Sequence, residues 1–313
     1  HVRSRRQRQM CIRDSCMHEG ELALTEETAA RLIAQRFPAL AHLPVERIRT
    51  AGTVNTITRI GDEFAARFPL VVESAEALAA EAAAMEELAD VCAVPSPRSL
   101  GIGMPTAEYP SAWSVQTWVP GDTACRDLHA TSDALALDVA ALIASLRAAD
   151  VRGREFDGQG RGGVLTDHDE WVALCIERSA HLVDPARVRR LWRALRGLPR
   201  SGQDVMSHRD LTPFNLLVAG DRVVGVLDGG GFGPADRALD LVAAWHLFDA
   251  SRRCMVRERV GASDVEWQRG AGWALQQAMG LGWYYEDSSP AMSALGLSTV
   301  RRLLDDAELM SLT

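Results

Sequence analysis

The first regular pattern begins at Thr25, where TEETAARLIAQRF places Ala29, Leu32, Ile33 and Phe37 at helical spacing. Apolar residues three and four positions apart share one face of an α-helix, so residues 25–37 predict an amphipathic helix with Thr25 as its cap. The period then shortens. RIRTAG, NTITRIG and EFAARF, lying between Arg47 and Phe68, read as three short strands with Gly52 and the Gly61-Asp62 pair at the turns, a β-meander. Residues 73–91, ESAEALAAEAAAMEELADV, consist of strong helix formers and are stopped by Pro95-x-Pro97. Two more strands are expected around Arg98–Gly101 and Ala112–Trp118, the second closed by Pro120-Gly121.

After Thr123 the pattern changes to long helical stretches at 131–149, 169–182 and 184–196, broken by the segment from Val205 to Asp228. This shift predicts an α+β chain in two lobes with a hinge near Val119–Thr123. The smaller, sheet-based lobe spans 17–120 and the larger, mostly helical one 121–313. Residues 1–16, HVRSRRQRQMCIRDSC, are arginine-rich, have no apolar periodicity and precede no apolar h-region. They read as a non-native or disordered tail, with Met17 as the native start.

Composition narrows the picture. At 313 residues and 47% hydrophobic content the chain can bury a large core. Its net charge is −8, and all 34 basic residues are arginine, with no lysine anywhere. The acidic balance argues against a nucleic-acid partner and mildly favours a cationic or neutral small substrate. Cys11, Cys16, Cys92, Cys125, Cys175 and Cys254 form no metal-ligand pattern and read as reduced thiols of a cytoplasmic protein. No apolar run approaches the ~20 residues that span a bilayer. A monomer or weak homodimer is expected.

The chemistry concentrates in SHRDLTPFNLLVAGDRVVGVLDGGGFG, residues 207–233. His208-Arg209-Asp210 is followed by Asn215, and two apolar runs joined by Ala-Gly-Asp-Arg read as a β-hairpin ending at Asp228. A hairpin returns its second strand to the start of the first, so Asn215 and Asp228 emerge at the same end, beside Asp210. Phosphoryl transfer needs this set: a carboxylate near the acceptor hydroxyl, and an amide and a carboxylate offering oxygens to Mg²⁺ on the nucleotide phosphates.

The segment resembles the protein-kinase catalytic loop H-R-D-x-x-x-x-N followed by a metal-binding aspartate. It is closer to the aminoglycoside phosphotransferase family, whose Gly-x-Ala-Asp-Arg-x-x-Asp run is matched by Gly233-Pro234-Ala235-Asp236-Arg237-Ala238-Leu239-Asp240. The resemblance implies a two-lobed, protein-kinase-like fold and an ATP-dependent kinase of small molecules, with ATP or another nucleoside triphosphate and Mg²⁺ as cofactors. It makes Asp210 the catalytic base, Asn215 and Asp228 the metal ligands, and His208 and Asp240 structural braces. Arg209 departs from the glycine usual there. Arg67, on the third strand, takes the place of the phosphate-binding Lys or Arg, oriented by Glu81, with Glu86 and Glu87 as alternatives. Gly52 and Thr53 fall in the phosphate-covering turn, and Gln116 and Trp118 in the strand and hinge that bind adenine.

The acceptor is a small hydroxylated molecule: an aminoglycoside-type or other antibiotic, with a macrolide or a metabolite such as choline or homoserine as alternatives. Trp273, Gln276, Trp283, Tyr284, Tyr285, Glu286 and Asp287 offer aromatics beside carboxylates for its amines, although the near-helical spacing of Trp273, Gln276 and Trp283 is better read as a core stripe. A nucleotide-binding pseudokinase would lack the base or a metal ligand, and neither is missing. A protein kinase would carry D-F-G and A-P-E, and both are missing.

Overall fold

The computed structural model describes residues 21–48 and 54–313. The segment 1–16 and the residues Gly52 and Thr53 lie outside the described residues. The chain divides into two compact units, one comprising residues up to Ala83 with Arg98–Trp118, the other Ala84–Pro97 with Val119–Thr313.

The first unit is an antiparallel sheet of five strands, β1 (Val45–Ile48), β2 (Asn55–Ile60), β3 (Phe64–Pro69), β4 (Ser99–Gly103) and β5 (Trp113–Thr117), in the order β1-β2-β3-β5-β4. Helix α1 (Glu26–Arg36) buries Ala29, Leu32 and Ile33, and the Thr25 hydroxyl accepts the Thr28 N–H at 3.1 Å, closing its first turn. Strand β2 alternates as a half-buried sheet should. Ile60, Ala66, Phe68, Trp113 and Val115 face inward, with Phe68 stacked on Trp113 at 4.8 Å and Tyr109 edge-on to Phe68 at 5.3 Å. Helix α2 (Ala75–Val91) starts at Ser74, whose hydroxyl accepts the Ala77 N–H.

The second unit contains α3 (Arg126–His129), α4 (Asp133–Ala148), α5 (Asp169–Arg178), α6 (Pro185–Arg196), α7 (Val242–Leu247), α8 (Ala250–Val260), α9 (Asp264–Tyr284), α10 (Pro290–Asp305) and α11 (Ala307–Met310). Two small sheets lie among them: β6 (Asp122–Thr123) with the hairpin β8 (Leu216–Ala219) and β9 (Arg222–Val226), and β7 (Val205–Ser207) paired with β10 (Gly233–Ala235). Among the described residues no helix is long and apolar enough to cross a membrane.

Helix α9 is the axis of this unit. It is buried along almost its whole length, and α10, α5, α6 and α7 all pack on it, so even its polar residues must find partners inside the protein. Where α10 crosses it, a Cβ built on Gly296 would lie 2.7 Å from Ala278 O and 2.7 Å from Gly282 N. Both obstacles are backbone, which cannot rotate away.

Gly296→Ala therefore destabilises the fold although alanine is the better helix former. The propensity gain is about 1 kcal/mol, whereas overpacking of this kind costs about 1–3 kcal/mol and here forces two helix backbones apart. A lower denaturation midpoint at unchanged m-value is expected.

Candidate active site

The catalytic segment is held from below by a buried carboxylate. Asp240, 2% exposed, accepts the Ser207 hydroxyl at 2.8 Å and the His208 N–H at 3.1 Å. The same Ser207 oxygen accepts the Arg209 N–H at 3.0 Å, so one side chain fixes the end of β7 and the first residues beyond it. Burial pushes the Asp240 carboxyl above the usual range. His208, fully buried, sets Nε2 2.7 Å from Leu227 O. The carbonyl can only accept, so Nε2 carries the hydrogen. His208 is thus a brace between the loop holding Asp210 and the residue that precedes Asp228.

Arg209 adopts φ +66°, a left-handed conformation rare for a residue with a side chain. Its guanidinium donates to Pro234 O at 2.7 Å, reaches Asp157 at 3.2 Å and lies over the Phe156 ring. These contacts show what this arginine binds.

Beyond Arg209 the chain turns. The Asn215 side-chain nitrogen donates to Asp210 O at 2.8 Å and to Asp210 Oδ2 at 3.2 Å. With its nitrogen committed to Asp210, the amide presents its oxygen to the opposite side. The hairpin pairs Leu216 with Val226, and the Leu227 N–H extends the ladder to Asn215 O at 2.8 Å. That bond brings the residue preceding Asp228 onto Asn215 itself. Asp228, exposed, stands at φ +59°, the second left-handed residue of the segment. An amide oxygen and a carboxylate at one hairpin end are hard oxygen donors that fit Mg²⁺. Among the described residues no group of three His, Cys, Asp or Glu side chains forms a complete metal cage, so such an ion would complete its shell from phosphates and water.

Asp210, its side chain 37% exposed, is reached by two donors that sequence reasoning missed. Arg161 Nη2 makes a close ion pair with Oδ1, and Gln277 Nε2 donates to Oδ1 at 2.6 Å. Arg161 stands in a glycine-rich loop whose anchor is the next residue: Gly162 O accepts the Asp236 N–H at 2.6 Å. A Cβ on Gly162 would lie 2.7 Å from Ala235 Cβ, so only glycine passes there. Gln277 belongs to a row on α9. Trp273 and Arg269, one and two turns earlier, both address Asp236, Arg269 through Nε at 3.0 Å and Trp273 through Nε1 at 2.9 Å. The one signal for this face was a polar row at helical spacing inside an apolar helix.

Trp273 is therefore corrected as an acceptor residue: it is fully buried and its only polar atom is spent on Asp236. Gln276 is nearly as buried and points to His168, 3.4 Å away. Glu286 pairs with His181 at 3.0 Å, Tyr284 packs edge-on to Trp283 and Tyr285, and Asp287 is exposed. In the other unit Arg67 is half-buried on β3 between Ile57 and Ser114, and Glu81 is exposed on α2. Glu87 is engaged elsewhere, by the two terminal nitrogens of Arg154 at 2.5 and 3.0 Å. Gln116 sits on β5 with its Oε1 buried and unbonded, and the Trp118 ring is covered by Arg59.

An α+β chain with an accessible carboxylate held beside an amide, and an exposed aspartate at the same hairpin end, is compatible with phosphoryl transfer. A sequence profile of the phosphotransferase enzyme family matches residues 46–273, and the chain belongs to that family of small-molecule phosphotransferases. Solved structures share the fold. The GDP and kanamycin complex of APH(2")-IIia is 18% identical, with 87% of this chain and 98% of that chain covered at a TM-score of 0.67. Macrolide 2'-phosphotransferase MphH from Brachybacterium faecium is 18% identical, covering 88% and 97% at 0.60. The streptomycin-ATP-APH(2")-IIa ternary complex is 12% identical, covering 89% and 97% at 0.57. A search of curated proteins finds no match.

The buried network around the site titrates. His246 is fully buried and burial pushes its pKa down from 6.5 to about 4. A folded-state value below the unfolded one means stability that is complete above pH 6.5 and lost as pH falls through about 4. This group removes about 3 kcal/mol over that interval. Denaturant unfolding at a series of pH values should show the loss in the wild type and a flatter slope between pH 6.5 and 4 in His246→Asn.

Proposed function

We propose that the chain transfers the γ-phosphoryl group of ATP, or of another nucleoside triphosphate, to a hydroxyl of a small antibiotic-type molecule. The observation that carries this reading is the hairpin end, where Asn215 and Asp228 come out together beside the braced carboxylate of Asp210. Asp210 orients the acceptor hydroxyl and takes its proton as the new P–O bond forms and the bond to the nucleoside diphosphate breaks. Asn215 and Asp228 would hold Mg²⁺, which supplies charge neutralisation on the phosphates when bound. Arg67 supplies the protein's own cation to the nucleotide, with Glu81 orienting it, and the backbone near Gln116 and Trp118 receives the base.

The names of the structural neighbours point to aminoglycosides and to macrolides. Arg161 favours the second kind of acceptor. A guanidinium in close contact with the base repels a polycation arriving at the same carboxylate, and tolerates an acceptor with few positive charges. A panel of aminoglycosides, macrolides and hydroxylated metabolites, each incubated with ATP and Mg²⁺ and examined for the mass of one added phosphate, tests both readings. Transfer confined to polycationic acceptors rejects the role given to Arg161, and no transfer to any member rejects the function.

Asp210→Ala should abolish nearly all transfer while ATP binding stays close to normal, because this carboxylate faces the acceptor. Asp228→Ala should weaken Mg·ATP binding as well as turnover. Calorimetric titration of each variant with Mg·ATP separates the two, and equal losses of affinity would show the roles to be misassigned.

The lysine-free composition makes Arg67 testable by order. A charge-assisted contact contributes roughly 1.5–3 kcal/mol, so Arg67→Ala should raise the apparent KM for ATP and lower turnover. Arg67→Lys should fall between alanine and wild type, since it keeps the charge and loses the planar fork. With ATP varied at saturating acceptor, alanine equal to wild type would assign the phosphates to another arginine.

A further inference from the structure

The contacts that hold Asp210 do not end at its neighbours. Gln277 Nε2 donates to Asp210 Oδ1 at 2.6 Å, and Gln277 Oε1 lies 2.9 Å from His246 Nε2. His246 Nδ1 lies 2.9 Å from Thr299 Oγ1, which also receives Arg302 Nη2 at 2.9 Å. Gln277 is 8% exposed, and His246 and Thr299 are fully buried. The three residues come from α9, α7 and α10.

The direction of every hydrogen in this row follows from elementary donor and acceptor counting. An ionised carboxylate only accepts, so the Gln277 NH₂ must face Asp210 and its oxygen must face His246. An amide oxygen also only accepts, so His246 must carry its hydrogen on Nε2. The ring is neutral, since burial holds its pKa near 4, and a neutral imidazole has a single N–H. Nδ1 is therefore an acceptor. The Thr299 hydroxyl lies 2.9 Å from both His246 Nδ1 and Leu295 O and has one hydrogen to give. Leu295 O is a helical carbonyl with a backbone donor of its own, whereas Nδ1 has none, so the hydrogen goes to the ring. Arg302 then donates into the lone pair that Thr299 keeps. Every link is satisfied in this sense only, and the row ends by pressing an N–H against the carboxylate.

We propose that Gln277 is a positioning residue for phosphoryl transfer, its amide locked by His246 and Thr299 so that it fixes the rotation of the Asp210 carboxylate. This rests on Asp210 being the base. Without the lock an amide could turn over and present oxygen to oxygen, and the carboxylate would be free to rotate away from the acceptor. Arg161, on an exposed loop, and Asn215, at a longer 3.2 Å, constrain it less.

The test uses the full chain with Mg·ATP and an acceptor shown to be phosphorylated, together with ¹⁵N-histidine spectra of the wild type. The His246 ring should appear as the Nε2–H tautomer, and a hydrogen on Nδ1 would overturn the proposal without any assay. Gln277→Met preserves length and removes both contacts. Gln277→Leu is shorter and branched and likewise removes both contacts. Both should lower kcat by about 10- to 100-fold, the size expected for misplacement of a reacting group, with the KM for ATP unchanged. Should the methionine variant fail to fold, the leucine variant decides. Wild-type kcat in either folded variant, or a fall matched by a rise in the KM for ATP, overturns the proposal. Absence of transfer by the wild type removes the base assignment itself and the proposal with it, a failure distinct from an active wild type whose Gln277 variants are equally active.

Discussion

A carboxylate buried in a protein must be surrounded by donors, and Asp240 meets this demand with the hydroxyl of Ser207 and the N–H of His208. Much of the site's geometry follows from that requirement. Because those donors lie at the end of β7, satisfying the carboxylate fixes where the strand stops and which way the next residues leave it. Ser207 passes the constraint to the Arg209 N–H, and His208 passes it to Leu227 O on the far side of the hairpin. The positions of Asp210, Asn215 and Asp228 are thus tied to one buried requirement.

The left-handed conformations of Arg209 and Asp228 belong to the same logic. Each interrupts regular backbone within the segment that carries Asp210 and Asn215. Arg209 is secured by Pro234 O, Asp157 and the Phe156 ring. Asp236, whose carboxylate takes Arg269 and Trp273, ties the strand after the hairpin to α9. Removing one partner of that buried ion pair would leave the other charged and unsolvated, which is the costly way to lose it.

Which parts of this were legible in the sequence follows from how local each signal is. Helix α1 announced itself by apolar residues at helical spacing, and the hairpin by two apolar runs around a turn, because both patterns are written within one segment. Asp210, Asn215 and Asp228 were legible because a hairpin converts their spacing into proximity. Arg161 was not, since a loop rich in glycine carries no periodicity and the chain must fold before it meets Asp210. Gln277 was not, because its partners Asp210 and His246 stand on two other segments. Trp273 was offered as an acceptor residue on its chemistry, and the face of α9 that carries it turned out to be committed to Asp236. Helical spacing shows which residues share a face and does not say what that face meets.

The anchoring of Arg161 has a consequence for how the molecule can vary. The backbone bond at Gly162 sits one residue after the guanidinium, so the reach of Arg161 is set from its carboxyl-terminal side. In the run before it Arg154, Phe156 and Asp157 are fastened by Glu87, Asp204 and Arg209, whereas Gly158 and Gly160 stand at positive φ with open space around Gly160. Insertions or grafted peptides between Gly158 and Gly160 would lengthen a short loop pinned on both sides, at Asp157 and at Gly162. This stretch is where relatives can drift in length, and where a label or affinity tag can be placed, without disturbing the carboxylate beside it.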